Sequence, residues 1–201
     1  MRKLTLLLAV VLLSAFTVKK QGLTRDDREV LLNHFQETRD NLLKAVDGLS
    51  DEQMDFKPAP DRWSVRQCLE HIILSEKGLF EMQQNAMKQP ADPEKRKTIK
   101  ATDEGLLKML ADRSQKGKAP EMIQPKGTYP STAAAIQAFT EQRDKIVDYA
   151  KNTHDDLRNH VVDMPNAPLD GYQMLLLISA HTGRHTVQIE EVKAAPGFPA
   201  R

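Results

Sequence analysis

Cysteine is nearly absent. Cys68 stands alone among 201 residues, which excludes an intramolecular disulfide framework and any cysteine-rich zinc module. Aromatic residues make up 5% and there are nine glycines, too few of either for a β-barrel or sandwich. Nine glycines with eleven prolines also exclude a collagen-like or low-complexity chain. Charge of one sign is missing too. Lys and Arg total 29 against 28 for Asp and Glu, a formal net charge of +1, without the basic surplus or stripe that binding nucleic acid requires. What remains is a hydrophobic fraction of 40%, enough for one core in a chain of one-domain length. There are also six histidines.

The first eighteen residues read separately from the rest. Arg2 and Lys3 precede an apolar run from Leu4 to Phe16, broken by Thr5 and Ser14. A charged start and a 13-residue apolar stretch form the layout of a secretory signal. As a helix, that stretch spans about 20 Å, short of the ~30 Å hydrocarbon core. Residues 1–18 are therefore expected to be a signal peptide rather than an anchor. The protein is expected to be exported, to the periplasm or cell envelope. No cysteine follows the run, which excludes a bacterial lipoprotein anchor. The rival reading is a buried N-terminal helix.

From Thr24 onward the pattern is helical. Thr24 caps a first helix with Asp26 and Asp27 in its first turn, where carboxylates favour the positive dipole end. Leu31, Leu32, Phe35, Leu42, Leu43 and Val46 follow at helical spacing, and Gly48 ends it. Ser50 and Gln53 have capping-box spacing for one short turn. Pro58 and Pro60 mark a loop. Ser64 caps a second long helix running to about Lys88. Residues 91–130 are charged and loop-like, with a short amphipathic stretch between Thr102 and Arg113. Ser131 opens a third long helix. Asp170 and Gln173 open a fourth that runs to about Ala194. Four long amphipathic helices without a convincing strand predict an all-α four-helix bundle over residues 24–194. The long connection between the second and third helices predicts a crossover, which would let those two run parallel.

His181 and His185 lie four apart in HTGRH, on one face of the fourth helix. Ile178, His181, His185, Gln188 and Val192 step along its core-facing seam. Buried imidazoles need partners, because an unpaired buried polar group costs about 1–3 kcal/mol. Either a metal ion or hydrogen bonds to neighbouring helices would serve. His71 on the second helix is the third candidate ligand. Cys68, Ser75 and Gly78 flank it with small side chains that would leave space. A three-histidine site with room for water is the catalytic form of a metal site. His34 is a candidate fourth neighbour, whereas His154 and His160 fall at a polar joint and read as surface residues. Glu70, Glu76 and Gln188 are candidate proton carriers, although the two glutamates read more simply as solvated helix-surface carboxylates. Cys68 reads as a buried thiol rather than a nucleophile, and Trp63 as a packing anchor.

The stretch RWSVRQCLEHI, residues 62–72, resembles the tryptophan-to-histidine segment of the DinB/YfiT-like superfamily. HTGRHTVQI, residues 181–189, resembles its C-terminal helix signature, and LSDEQMDFKPAPDRW, residues 49–63, is similar to its approach to the tryptophan. The resemblance implies a four-helix bundle with a crossover and a divalent metal held by three histidines, which carry over as His71, His181 and His185. Trp63 and Arg184 match recurrent positions with supporting roles. The activities implied are metal-dependent transfer of low-molecular-weight thiols onto electrophiles, with isomerase and hydrolase relatives. The apparent signal peptide departs from that pattern, since such thiols are usually cytoplasmic.

Together these readings lead to a divalent-metal-dependent enzyme that activates a thiol or water for transfer or hydrolysis. Three imidazoles do not select among zinc, nickel, iron and manganese. The expected partner is a small-molecule substrate, of which a low-molecular-weight thiol is one class, and no nucleic acid. Apolar bundle faces allow a homodimer. The alternative is a non-catalytic metal-binding or small-molecule-binding module of the cell envelope.

Overall fold

The computed structural model describes residues 22–114 and 117–200. The expected signal peptide lies outside the described residues. Four long helices dominate: α1 (Arg25–Val46), α3 (Val65–Met87), α6 (Thr132–Asn152) and α7 (Gly171–Lys193). Three short ones lie between them: α2 (Asp51–Asp55), α4 (Pro93–Arg96) and α5 (Asp103–Ala111). Each long helix starts where a capping side chain stands. Thr24 and Ser131 accept the N–H of the third residue on. Ser64 with Gln67, and Asp170 with Gln173, form reciprocal capping boxes. Gly48 adopts φ 64°, the left-handed turn that lets the chain leave α1.

Contacts along each helix pair set the directions. Asp27 meets Tyr172 and Ala45 meets Lys193, so α1 and α7 run the same way. Arg66 meets Thr132 and Gln83 meets Tyr149, so α3 and α6 also run the same way. His71 faces His185 while Glu76 faces Thr182, so α3 and α7 run in opposite directions. Arg28 reaches Lys151 and Phe35 reaches Arg143, so α1 and α6 oppose each other.

No strand was expected, yet β1 (Val161–Val162) and β2 (Leu169–Asp170) pair antiparallel. Two-residue strands are too short to show a period in sequence. Among the described residues, no helix is long and apolar enough to cross a membrane.

The apolar core falls into two clusters. One gathers Leu31, Phe35, Ile146, Tyr172 and Ile178. The other gathers Leu42, Leu69, Ile72, Phe139 and Ile189. Between them lies a buried polar layer with one or two residues from each long helix: Thr38, Glu76, Arg143, Ser179 and Thr182. Arg143 and Glu76 form an ion pair in it. Arg143 also donates to the carbonyl of Phe35 at 2.9 Å and to the hydroxyls of Thr38 and Thr182 at 3.0 Å each. Thr182 donates to Glu76 at 2.5 Å. The reading of Glu76 as a solvated carboxylate is thereby corrected. Position 143 sits on the same face as Phe139 and Ile146, so Glu76 has a buried cation to meet.

Candidate metal centre

His71 lies two turns into α3, and His181 and His185 lie midway along α7. Because these helices are antiparallel neighbours, the three imidazoles meet. The Nε2 atom of His185 is 3.2 Å from that of His71 and 3.2 Å from that of His181. The far sides of two rings are fixed. His71 Nδ1 donates to the carbonyl of Ile123 at 2.7 Å, and His185 Nδ1 donates to Gln188 Oε1 at 2.8 Å. Both acceptors require a proton on Nδ1, which leaves each Nε2 as a lone pair turned inward. His181 Nδ1 is buried with no hydrogen-bond partner among the described residues.

Lone pairs facing one another repel unless a cation lies among them. With nitrogen–metal bonds of about 2.0–2.1 Å, a 3.2 Å separation subtends about 100–106° at the ion, close to tetrahedral. The three residues therefore fit a divalent ion, and they can hold one with three neutral ligands. Among the described residues, no carboxylate joins the group.

Burial holds all three imidazoles below the usual histidine range. For His71 it outweighs the opposing bond to Ile123. His185 falls to about 3 through burial and the facing His71, and His181 falls well below its ordinary value through burial and its two neighbours. The folded, metal-free protein thus keeps them neutral, while the unfolded chain protonates them near pH 6.5. Stability should hold above pH 6.5 and drain away as pH falls from there towards 3. Each histidine that stays neutral contributes a slope of up to about 1.4 kcal/mol per pH unit. Urea midpoints of metal-free protein at pH 7.5 and pH 5 measure this; a flat profile would contradict the neutral cluster.

A cleft of about 660 Å³ opens above the histidines. Trp63 forms one wall, with its ring 4.7 Å from that of His71 and 6.3 Å from that of His185. A strap of chain over residues 117–124 forms another. Glu70 fastens the strap: its carboxylate accepts the N–H groups of Lys126, Gly127 and Thr128 at 2.9–3.0 Å and the Thr128 hydroxyl at 2.7 Å. Burial pushes the Glu70 carboxyl up, but these bonds prevail and hold it below the usual range. Arg184 donates to the carbonyls of Leu110 and Asp112, tying the end of α5 to the site.

Several expectations change. Glu70 is a buried strap anchor rather than a solvated carboxylate. Cys68, Ser75 and Gly78 do not line the cleft; the room arises because the strap passes over the helices. His34 is not a fourth neighbour, since its Nδ1 meets Ser179 Oγ at 2.6 Å. His160 is buried, with its ring nitrogens on the carbonyls of Asp156 and Gln89, whereas His154 is exposed as expected. Gln188 orients His185 instead of standing free to carry a proton. Cys68 is fully buried and burial pushes its thiol up to about 12, so it is no thiolate at neutral pH.

A sequence model described as the DinB superfamily matches residues 34–189. The chain is 27% identical over 160 residues to the uncharacterized protein YuaE of Bacillus subtilis (strain 168), covering 79% of this chain and 94% of that one. Its fold is similar to that of YfiT from Bacillus subtilis, at a TM-score of 0.60 and 15% identity, covering 89% and 93% of the two chains. YfiT is described as a probable metal-dependent hydrolase with an unusual four-helix bundle topology.

Proposed function

As the chain belongs to the DinB superfamily, we propose that it is a divalent-metal-dependent enzyme whose ion is held by His71, His181 and His185. The observation that carries this reading is the convergence of three Nε2 atoms in 3.2 Å steps beneath an open cleft, with two of the rings locked from behind. A bound divalent ion supplies Lewis acidity, which lowers the pKa of a coordinated thiol or water and makes a nucleophile at neutral pH. The polypeptide does the rest. Ile123 and Gln188 hold the ring orientations, and Trp63 and the strap shape the space for a small molecule. The description of YfiT favours hydrolysis, and the low-molecular-weight thiols met in the family favour transfer. Both begin from the same site.

The test is metal content by mass spectrometry on untagged protein from about residue 18, followed by zinc, nickel and manganese reconstitution. Loaded protein is then assayed for aryl-ester hydrolysis and for thiol transfer to an electrophile. One equivalent of metal with turnover by either route is expected. No metal uptake would overturn the reading.

The strap gives a separate expectation. Glu70→Gln replaces one acceptor oxygen with a donor against backbone N–H groups, which loosens the segment presenting Ile123 to His71. Zinc affinity, measured by chelator competition, should fall about 10- to 100-fold, the usual cost of losing an outer partner of a metal ligand. The helical circular dichroism should persist. Unchanged affinity would show that the strap does not orient His71.

A further inference from the structure

Two of the three imidazoles are committed to one tautomer. His71 donates from Nδ1 to the Ile123 carbonyl at 2.7 Å, and His185 donates from Nδ1 to Gln188 Oε1 at 2.8 Å. Each therefore presents a bare Nε2 with or without an ion. His181 differs. Its Nδ1 is buried and has no hydrogen-bond partner among the described residues. A neutral imidazole carries one N–H, and buried N–H groups without an acceptor are rare in folded proteins. On Nδ1 that proton finds no acceptor among the described residues. On Nε2 it meets the bare Nε2 of His185, 3.2 Å away. In metal-free protein the proton of His181 accordingly belongs on Nε2, the atom that would bind the ion. That placement also turns one of the two 3.2 Å encounters between bare nitrogens into a hydrogen bond.

A ligating histidine ordinarily donates its outer N–H to an acceptor, which fixes the ring and raises its basicity as a ligand. His71 and His185 meet this condition before any ion arrives. To bind one, His181 has to give up its bond to His185 and carry its proton on the unpartnered Nδ1. The ring stays neutral throughout; only the nitrogen that holds the proton changes.

We propose that His181 is the switching ligand of the centre: it changes tautomer when the ion enters, and it holds the ion more weakly than His71 and His185 do. The proposal rests on the metal-dependent reading above and gives its three ligands unequal roles, two locked and one switching.

The experiment is nitrogen-15 NMR of histidine-labelled protein at pH 7.5, metal-free and with one equivalent of zinc. Without metal, His71 and His185 should show the Nδ1–H form and His181 the Nε2–H form. Zinc should move the proton of His181 to Nδ1 and leave the other two tautomers as they were. A metal-free His181 already protonated on Nδ1 overturns the proposal, since an acceptor such as an internal water would then hold it ready to bind. Zinc affinity by chelator competition is the second measurement. His181→Ala should cost at least about tenfold less affinity than His71→Ala or His185→Ala, because the contact it removes is already weakened by an unpaired buried donor. Equal losses in the three variants overturn the proposal. Helical circular dichroism checks that each variant folds, and the wild-type tautomers decide the matter where one does not. A wild type that takes up no zinc defeats the metal-dependent reading and the proposal with it, an outcome recognised from metal content before any tautomer is read.

Discussion

His185→Ala is expected to strip the protein of metal while leaving it folded. His185 is the middle member of the cluster, since its Nε2 is the atom 3.2 Å from both of the others. Its removal leaves two ligands, His71 on one helix and His181 on the other, with ring centroids 5.1 Å apart. Affinity should fall by more than the about 10- to 100-fold that loss of an outer partner costs, taking bound zinc from one equivalent to a small fraction. Turnover should disappear with it. The fold should survive, because the lost imidazole is a polar group buried at a desolvation cost rather than a packing anchor. Below pH 6.5 the metal-free variant should even be the more stable of the two, since one buried group that resists protonation is gone. Gln188→Ala is the graded comparison. It keeps all three ligands but frees the His185 ring, and should cost about 10- to 100-fold in affinity. If the histidines were a packed polar core, His185→Ala would lower the metal-free melting temperature at pH 7.5 and change no metal content. That result would end the metal-centre reading.

Much of this architecture was legible because its signals are local. A cap and its partner three residues on announce α1, α3, α6 and α7 almost to the residue. The histidine pair was legible for the same reason, since spacing of four on a helix is itself geometry. His71 was a candidate on the small residues flanking it, which do not line the cleft; what ties it to the pair is the family segment RWSVRQCLEHI, because nothing else in sequence says which helices touch. The strap was not legible at all. Ile123 serves through its backbone carbonyl, which every residue carries, and Glu70 serves by holding backbone N–H groups of a segment without periodicity. His160 was misplaced for a related reason. Its two carbonyl partners come from the end of α3 and from a turn 71 and four residues away, and a polar surrounding sequence reads as surface. The polar layer lay in between. Arg143 sits at a core-facing step of α6 and Glu76 at a core-facing step of α3, but each alone resembles an ordinary surface charge.

That layer yields the largest expected loss of stability. Glu76→Gln should destabilise the protein by about 3–5 kcal/mol, the cost of leaving a buried charge without its counter-ion. Arg143 has no exposed surface, and its remaining partners, the Phe35 carbonyl and two threonine hydroxyls, are neutral. For a chain of this size the loss corresponds to a fall in melting temperature of about 6–20 °C. Removing both partners is a different perturbation. Glu76→Leu with Arg143→Met takes away two desolvation penalties along with the attraction, and such replacements are often neutral or stabilising. Phe35 keeps its helical hydrogen bond, so the double variant should recover most of the stability lost in Glu76→Gln. A double variant no better than the single would show that the layer's hydroxyl bonds, rather than the ion pair, hold the four helices together. The metal readout separates the two roles. Thr182, which donates to Glu76, directly follows His181 in α7. The layer therefore fixes the rotation of the helix carrying two of the three histidines. Zinc affinity of Glu76→Gln, measured well below its melting transition, should fall where that rotation loosens, and should return in the double variant only if apolar packing restores it.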